Sequence, residues 1–426
     1  MAAPPRSLAD IFRGSLAYLL AGVLNSLAPF LVSVLIARYL GKEDLGLFSI
    51  CFALVLGGIL VSDLGLNPLV LREFAGTRSP EALNLRTLLL IRWVVAWAAG
   101  LLALLVSQIF LPGPNALTVG IMACLFIVVR SIAGTLENVI KARMYRMTSV
   151  AITMAGSAAH VLLVFAALEA GSDLSRVLLI MTGVETLKIL FLSGMVRAEL
   201  RSPLQGFPQT VQSFTRLVRE GLPFALIGVF TLVNERSALF FLSSLCGNAE
   251  AGVYSAADRF MSVATLIDSS LLASAFPVLT LFRDDPRFHR ITRQGAGISL
   301  SLGILGALVL AAGAPLLMRF SFRYAESAGL LRILALAFPA ALWNSTLRVV
   351  LFSMHRERRV AAAFGVLCML NLVLSVAIIP RYASAGAALV SVFAEYGMAV
   401  AYGVIYLRSI QGAAHPLRQE VGGAAG

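Results

Sequence analysis

Apolar stretches of membrane length recur from one end of this chain to the other, and nothing else in the sequence constrains its fold as tightly. They lie near 14–37, 45–70, 86–111, 116–140, 148–169, 174–196, 221–245, 252–281, 293–318, 328–352, 360–379 and 385–407. At a rise of 1.5 Å per residue the first covers about 36 Å, enough to cross a hydrocarbon core of about 30 Å with some tilt. Charged residues make up only 13% of the chain, against roughly 25% in a soluble domain, too few to cover a water-soluble globule. The expected fold is therefore an all-α polytopic membrane protein with twelve transmembrane helices. The connections are short and carry Gly, Pro and charge, as in "LPGPNA", "FRDDPRFHR" and "MHRERRV", and leave no room for a soluble domain. Arg6 and Arg13 precede the first apolar run without a small-residue cleavage pattern, so that run reads as a retained first helix.

A net charge of +12 raises nucleic acid as a partner, but the basic residues are distributed as a membrane protein distributes them. Counted over alternate loops, twenty-one Lys and Arg fall on the side of the N-terminus. Six fall on the other: Arg38, Lys42, Arg176, Arg319, Arg323 and Arg381. Basic loops stay in the cytoplasm, so both termini are expected there, and no nucleic-acid partner is implied. Cys51, Cys124, Cys246 and Cys368 are far apart; without metal-ligand spacing they read as small core residues.

The sequence repeats one phrase. "LGKEDLGLFS" from Leu40 and "CGNAEAGVYS" from Cys246 match at Gly41 and Gly247, Gly46 and Gly252, Phe48 and Tyr254, and Ser49 and Ser255, each pair 206 residues apart. Six spans separate the copies, an even number, so both face the same way. This predicts two six-helix lobes related by a pseudo-twofold axis along the membrane normal, the parallel-repeat arrangement of transporters. The expected boundaries are a first lobe at 1–200, a cytoplasmic linker at 201–220, a second lobe at 221–410 and a tail at 411–426. Gly41 and Gly247 are placed to end a helix in the left-handed conformation, and Gly46 and Gly252 to begin the next.

Three stretches resemble bacterial polysaccharide and O-antigen flippases, of the multidrug, oligosaccharidyl-lipid and polysaccharide exporter superfamily with its MATE-like fold. "LIARYLGKEDLGLFSICFALVLGGILVSDLGLNPLVLREFA" (35–75) resembles their first two helices. "GLPFALIGVFTLVNERSALFFLSSLCGNAEAGVYSAADRF" (221–260) resembles the start of their second half, and "IIPRYASAGAALVSVFAEY" (378–396) their eleventh-to-twelfth helix junction. The resemblance implies a transporter of the bacterial inner membrane, not an enzyme and without a cofactor. Its cargo would be an oligosaccharide on an undecaprenyl-pyrophosphate type carrier, a repeat unit of O-antigen, lipopolysaccharide or exopolysaccharide, moved from the cytoplasmic to the outer leaflet. Two positions depart from the pattern. Arg236 is followed by Ser237 and Ala238 where many relatives have an acidic residue two positions on, and Ala383 or Ser384 stands where they usually have glycine.

An ionisable residue at the centre of a transmembrane helix costs about 2.5–3.5 kcal/mol on insertion scales, and so marks a bundle interior or a wet cavity. Seven basic residues lie within spans: Arg92, Arg130, Lys188, Arg236, Arg259, Arg332 and Arg348. Arginine offers a planar fork that binds phosphate oxygens in pairs, so Arg130, Arg236, Arg259 and Arg348, with Lys188, are the candidates for an anionic cargo. Arg130 and Arg348 have no acidic residue three or four positions away. Arg92 and Arg332 read as side chains that snorkel to the interfaces. Glu185 and Lys188 share a helix face and are placed to neutralise each other. Glu235–Arg236 and Asp258–Arg259 either pair crosswise between the seventh and eighth spans or contact cargo.

Transport against a gradient needs energy, and no phosphate-binding G-x-x-x-x-G-K-[ST] loop occurs. A proton or sodium ion is the remaining common source. Glu235, Asp258, Asp268, Asp63 and Glu395 are the candidate coupling groups, with His160 as a titratable neighbour that equally suits hydrogen-bonded packing. Two other functions remain open. A multidrug or toxin cation antiporter of the same fold would favour an acidic cavity rather than arginines, and a membrane polysaccharide polymerase or ligase would need a sizeable outer loop. Six prolines in or near spans, among them Pro315 and Pro339, are expected to bend helices.

Overall fold

The computed structural model describes residues 27–63, 84–111, 113, 115–142, 146–201, 207–262, 288–354 and 356–422, and every regular element among them is helical. In chain order these are α1 Leu27–Tyr39, α2 Lys42–Asp63, α3 Leu85–Phe110, α4 Asn115–Ala142, α5 Arg146–Glu169 and α6 Leu174–Met195. Then follow α7 Phe207–Cys246, α8 over 248–262, α9 Phe288–Phe320, α10 Glu326–Ala335, α11 Phe338–Ser353 and α12 Glu357–Gly422. One helical turn, Arg197–Leu200, follows α6. Nine segments are long and apolar enough to cross a membrane among the described residues, compatible with the twelve expected. Leu105, Ile109, Leu187, Leu190, Leu308 and Phe393 are each more than 60% exposed, a surface suited to lipid rather than water. The chain is a multi-pass membrane protein.

The helices form two compact units, Met1–Ser255 and Ala256–Gly426. In the first, α3, α4 and α6 enclose a core of Leu85, Leu88, Leu136, Val139, Ile140 and Leu192. The ends of these helices follow from their sequence. Asn84 caps α3 by accepting from the Thr87 amide at 2.9 Å, and Asp173 caps α6 by accepting from the Arg176 amide at 3.3 Å. α2 packs against α3, α4 and α7.

The repeated phrase reappears as a repeated geometry. Gly41 separates α1 from α2 and Gly247 separates α7 from α8, both at a φ of +95°, where a Cβ would be strained. The two hairpins meet. A Cβ on Gly46 would overlap the Asn248 carbonyl oxygen, and one on Gly252 would overlap that of Lys42. Ser49 Oγ and Ser255 Oγ are hydrogen-bonded to each other. Lys42 and Asn248 are themselves 206 residues apart, so every contact is reproduced when the two copies are exchanged. That self-complementarity is the mark of a local twofold axis, here passing between the paired serines.

In the second unit α11 and α12 pack around Leu347, Leu351, Val360, Met398 and Tyr402, with α9 against α11 and α10 against α9 and α12. The tenth expected span, 328–352, is not one helix. It resets between α10 and α11, where Leu336 and Ala337 donate to carbonyls only three residues back, at 3.1 and 2.9 Å, and Pro339 opens the new helix. Proline has no amide hydrogen and its ring crowds the preceding turn, so the first turn is where it fits. Pro315, by contrast, lies within α9 without ending it. The stretch expected as a linker is helical from Phe207 and continuous with the seventh span. α12 turns back on itself at Ala383 (φ 46°, ψ −130°). Leu367 and Leu374 on the leg before the turn face Val400 and Val390 on the leg after it, so the eleventh and twelfth expected spans form a hairpin. Cys51, Cys124 and Cys368 are buried and Cys246 partly so.

Two predictions follow from these backbone constraints. The variant Ser49→Cys/Ser255→Cys forms a disulfide in membranes under mild oxidation, detected as a reducible mobility shift absent from either single variant. Ala383→Gly relieves a left-handed backbone and raises stability by about 1 kcal/mol, measured as a higher thermal unfolding midpoint in detergent.

Candidate functional site

α4, α5 and α6 bring five ionisable side chains to one place inside the first unit. Arg130 and Glu137 come from α4, His160 from α5, and Glu185 and Lys188 from α6. Lys188 is the hub. Its Nζ lies 2.8 Å from Glu137 Oε1 and 3.2 Å from Glu185 Oε2. Arg130 is held more loosely, its Nη1 3.4 Å from Glu137 Oε1 and its Nε 3.9 Å from Glu185 Oε2. The glutamates are 8% and 4% exposed and Lys188 10%, whereas Arg130 is 29% exposed. His160 Nε2 lies 3.2 Å from the Met181 carbonyl oxygen and 3.8 Å from Glu185 Oε1. A carbonyl only accepts, so Nε2 carries the hydrogen.

Four of the five, all but Glu137, border a cavity of about 220 Å³. Arg130, Ser157, His160, Glu185 and Lys188 form its polar side. Pro29 of α1, Phe52 of α2 and Phe126 of α4 are among the apolar side chains that complete its lining. A cavity among membrane-spanning helices that is lined by both ionic and apolar side chains is of the kind suited to an amphipathic, charged solute.

The structure thus joins two of the residues proposed for anion binding, Arg130 and Lys188, and supplies both with carboxylate partners. The expected pairing of Lys188 with Glu185 is present. The absence of a near acidic neighbour for Arg130 is made up by Glu137, seven positions on. Two helical turns place residues on one face, and an extended arginine covers that distance. In the sequence Glu137 stands out only as a distant acidic residue on the same helix as Arg130.

Asp63, proposed for ion coupling, is bound to Arg92. Arg92 Nη2 reaches Asp63 Oδ1 at 2.6 Å, Nη1 the Ser62 carbonyl oxygen at 2.7 Å and Nε the Thr135 hydroxyl at 3.0 Å. Arg92 is therefore not the snorkelling side chain expected; it is 2% exposed and ties α2, α3 and α4 together. Arg332 is exposed and donates to the Ala311 carbonyl oxygen at 3.4 Å. Arg236 is half-buried on α7, with Nη2 4.0 Å from the exposed Glu235.

In the second unit, Asn344 Nδ2 on α11 donates to both the backbone oxygen and Oε2 of Glu395, each at 2.8 Å. Arg348 follows Asn344 by one turn, half-buried. Asp258 and Arg259 are half-buried on α8, and Asp268 lies outside the described residues. Among the described residues no group of three or more His, Cys, Asp or Glu is placed to hold a metal ion.

The fold is that of solved transporters of the MOP superfamily. It is similar to a multidrug resistance MATE family transporter in an inward-facing conformation, at a TM-score of 0.69 and 13% identity over 94% of this chain and 98% of that one. It is also similar to the lipid II flippase MurJ in an inward closed conformation (TM-score 0.62, 13% identity, 92% and 86%). A third similar structure is a MOP superfamily transporter from Pyrococcus furiosus (0.63, 13%, 94% of each chain). No curated protein matches the sequence. Over residues 11–282 the sequence matches the family described as polysaccharide biosynthesis protein, and the chain belongs to that family.

Removing one partner of a buried ion pair leaves its counter-charge uncompensated and costs about 3–5 kcal/mol. Lys188→Met is therefore expected to lower the thermal unfolding midpoint in detergent sharply. Lys188→Met/Glu137→Gln, which removes one charge of each sign, is expected to recover most of the loss.

Proposed function

We propose that this protein is a flippase for an oligosaccharide linked to a polyprenyl pyrophosphate. It carries the lipid from the cytoplasmic to the outer leaflet of a bacterial inner membrane, with both of its termini in the cytoplasm. The observation that carries this reading is the intramembrane cavity bordered by Arg130 and Lys188, in a chain of the polysaccharide biosynthesis family. Phosphate oxygens take guanidinium and ammonium donors, and the apolar wall beside them suits the start of a prenyl chain. That a similar structure is of a lipid II flippase supports the same cargo chemistry. Transport proceeds by alternating access of two lobes, residues 1–200 and 221–410, joined through 201–220, and is coupled to a proton or sodium ion. Arg236, Arg259 and Arg348 are further cargo contacts, and Glu235, Asp258, Asp268 and Glu395 further coupling groups, in this scheme. The repeat units of O-antigen, lipopolysaccharide or exopolysaccharide are cargo of the required kind.

The test is transport by the purified protein in liposomes, with a fluorescent polyprenyl-pyrophosphate oligosaccharide on one leaflet and a cationic dye as control cargo. Wild type is expected to flip the lipid-linked sugar and not the dye, and Arg130→Ala and Arg348→Ala to flip it at least tenfold more slowly. Movement of the dye without flipping of the lipid would assign the protein to drug export.

A further inference from the structure

The ionic cluster on α4, α5 and α6 is electrically balanced but unequally built. Two cations face two carboxylates, so with His160 neutral the formal charge is zero. Lys188 holds both glutamates at 2.8 and 3.2 Å, while Arg130 stands off at 3.4 and 3.9 Å and is the most exposed member. An anion entering the cavity therefore meets one cation free to turn toward it, and that cation is Arg130. Lys188 cannot follow without abandoning two buried carboxylates.

Charge balance then dictates what happens next. Once Arg130 serves the anion, Glu137 and Glu185 share one ammonium, and a buried negative charge is left without a partner. Such a charge is removed most readily by a proton. Among the described residues no other charged side chain lines the cavity. α1 and α2 line the cavity with apolar side chains, and α3 presents Arg92, already bound to Asp63. α4 adds Lys141 to the surroundings of Glu137, and α5 contributes His160.

We propose that the cavity takes up the phosphate group of its cargo and a proton together. Arg130 is the exchangeable cation, and Glu137, Glu185 and His160 are the group that receives the proton. This rests on the reading of the cargo as a pyrophosphate-linked lipid, and it adds the stoichiometry and the sign of the coupling. Linkage is reciprocal, so acid tightens anion binding by the same factor as the anion promotes protonation. The empty site returns neutral, and the loaded one carries the cargo with part of its negative charge cancelled.

The experiment is titration calorimetry of the full chain in nanodiscs with a short-chain prenyl-pyrophosphoryl N-acetylglucosamine. Both phosphates of this probe are diesters and do not titrate near neutrality. Comparing buffers of different ionisation enthalpy at one pH counts the protons exchanged. UDP-N-acetylglucosamine, a pyrophosphate diester without a lipid, is the second probe and separates recognition of the phosphate from recognition of the prenyl chain. Wild type is expected to take up about one proton per ligand, with affinity falling about tenfold per unit of rising pH. Glu185→Gln and Glu137→Gln, which already lack one negative charge, are expected to bind without taking up a proton and with little dependence on pH. Arg130→Gln is expected to lose affinity at least tenfold.

Binding by wild type with no proton uptake, or uptake that persists in both glutamine variants, would overturn the coupling and leave the flippase reading standing. Failure of both probes to bind would overturn the coupling and the cargo class together. Binding of the nucleotide sugar as tightly as the lipid, with one proton, supports the coupling and confines recognition to the phosphates.

Discussion

The contact on which the rest of the first unit depends is a meeting of two backbones. At Gly46 and Gly252 the helices α2 and α8 approach until each glycine stands against a carbonyl oxygen of the other hairpin, and no side chain fits between. Small residues are what allow helices in lipid to pack this closely, because burial of apolar surface gives little drive where the solvent is itself apolar. The hydrogen bond between Ser49 and Ser255 exists only at that separation. The same face of α2 then continues along α7, where Leu60 packs on Gly228 and Leu232 on Gly57. One crossing sets the register of three helices.

Much of this was legible in the sequence, because repetition is a global signal. Four matched pairs at one offset implied a local symmetry, and the contacts between Lys42 and Gly252 and between Asn248 and Gly46 reproduce it residue for residue. The break between the last two spans was legible for a different reason. Both legs are apolar, and only the short polar stretch at Arg381–Ser384 divides them. The sequence did not disclose that a non-glycine residue would take the left-handed turn, since Ala383 gives no local warning. Nor did it locate the reset before Pro339. A proline removes one backbone hydrogen bond, but whether the helix continues through it, as at Pro315, or restarts is decided by what packs around it.

The site was legible only by halves. Helical periodicity tells which side chains share a face, and so it found Glu185 with Lys188. It does not tell which faces of different helices meet. Arg92 illustrates the difference: with no acidic residue on α3 its sequence suits an interface, yet it is buried against Asp63 of α2 and Thr135 of α4. Glu137, placed near the end of its span, becomes a member of the ionic cluster only because α6 delivers Lys188 to it. Family membership adds the class of chemistry to this geometry but does not choose among the charges.

The pairing of those charges also governs how the chain enters the membrane in the first place. α4 carries Arg130 and Glu137 on one face, and α6 carries Glu185 and Lys188 three residues apart. Each of these helices brings its own counter-ion and partitions into lipid without waiting for a neighbour. α2 and α3 are different, since Asp63 of one is paired with Arg92 of the other. Each of those two segments lowers the cost of its charge by entering the membrane beside the other. During synthesis the emergence of α3 thus lowers the cost of keeping α2 in the membrane, while α4 and α6 carry their neutralising partners with them.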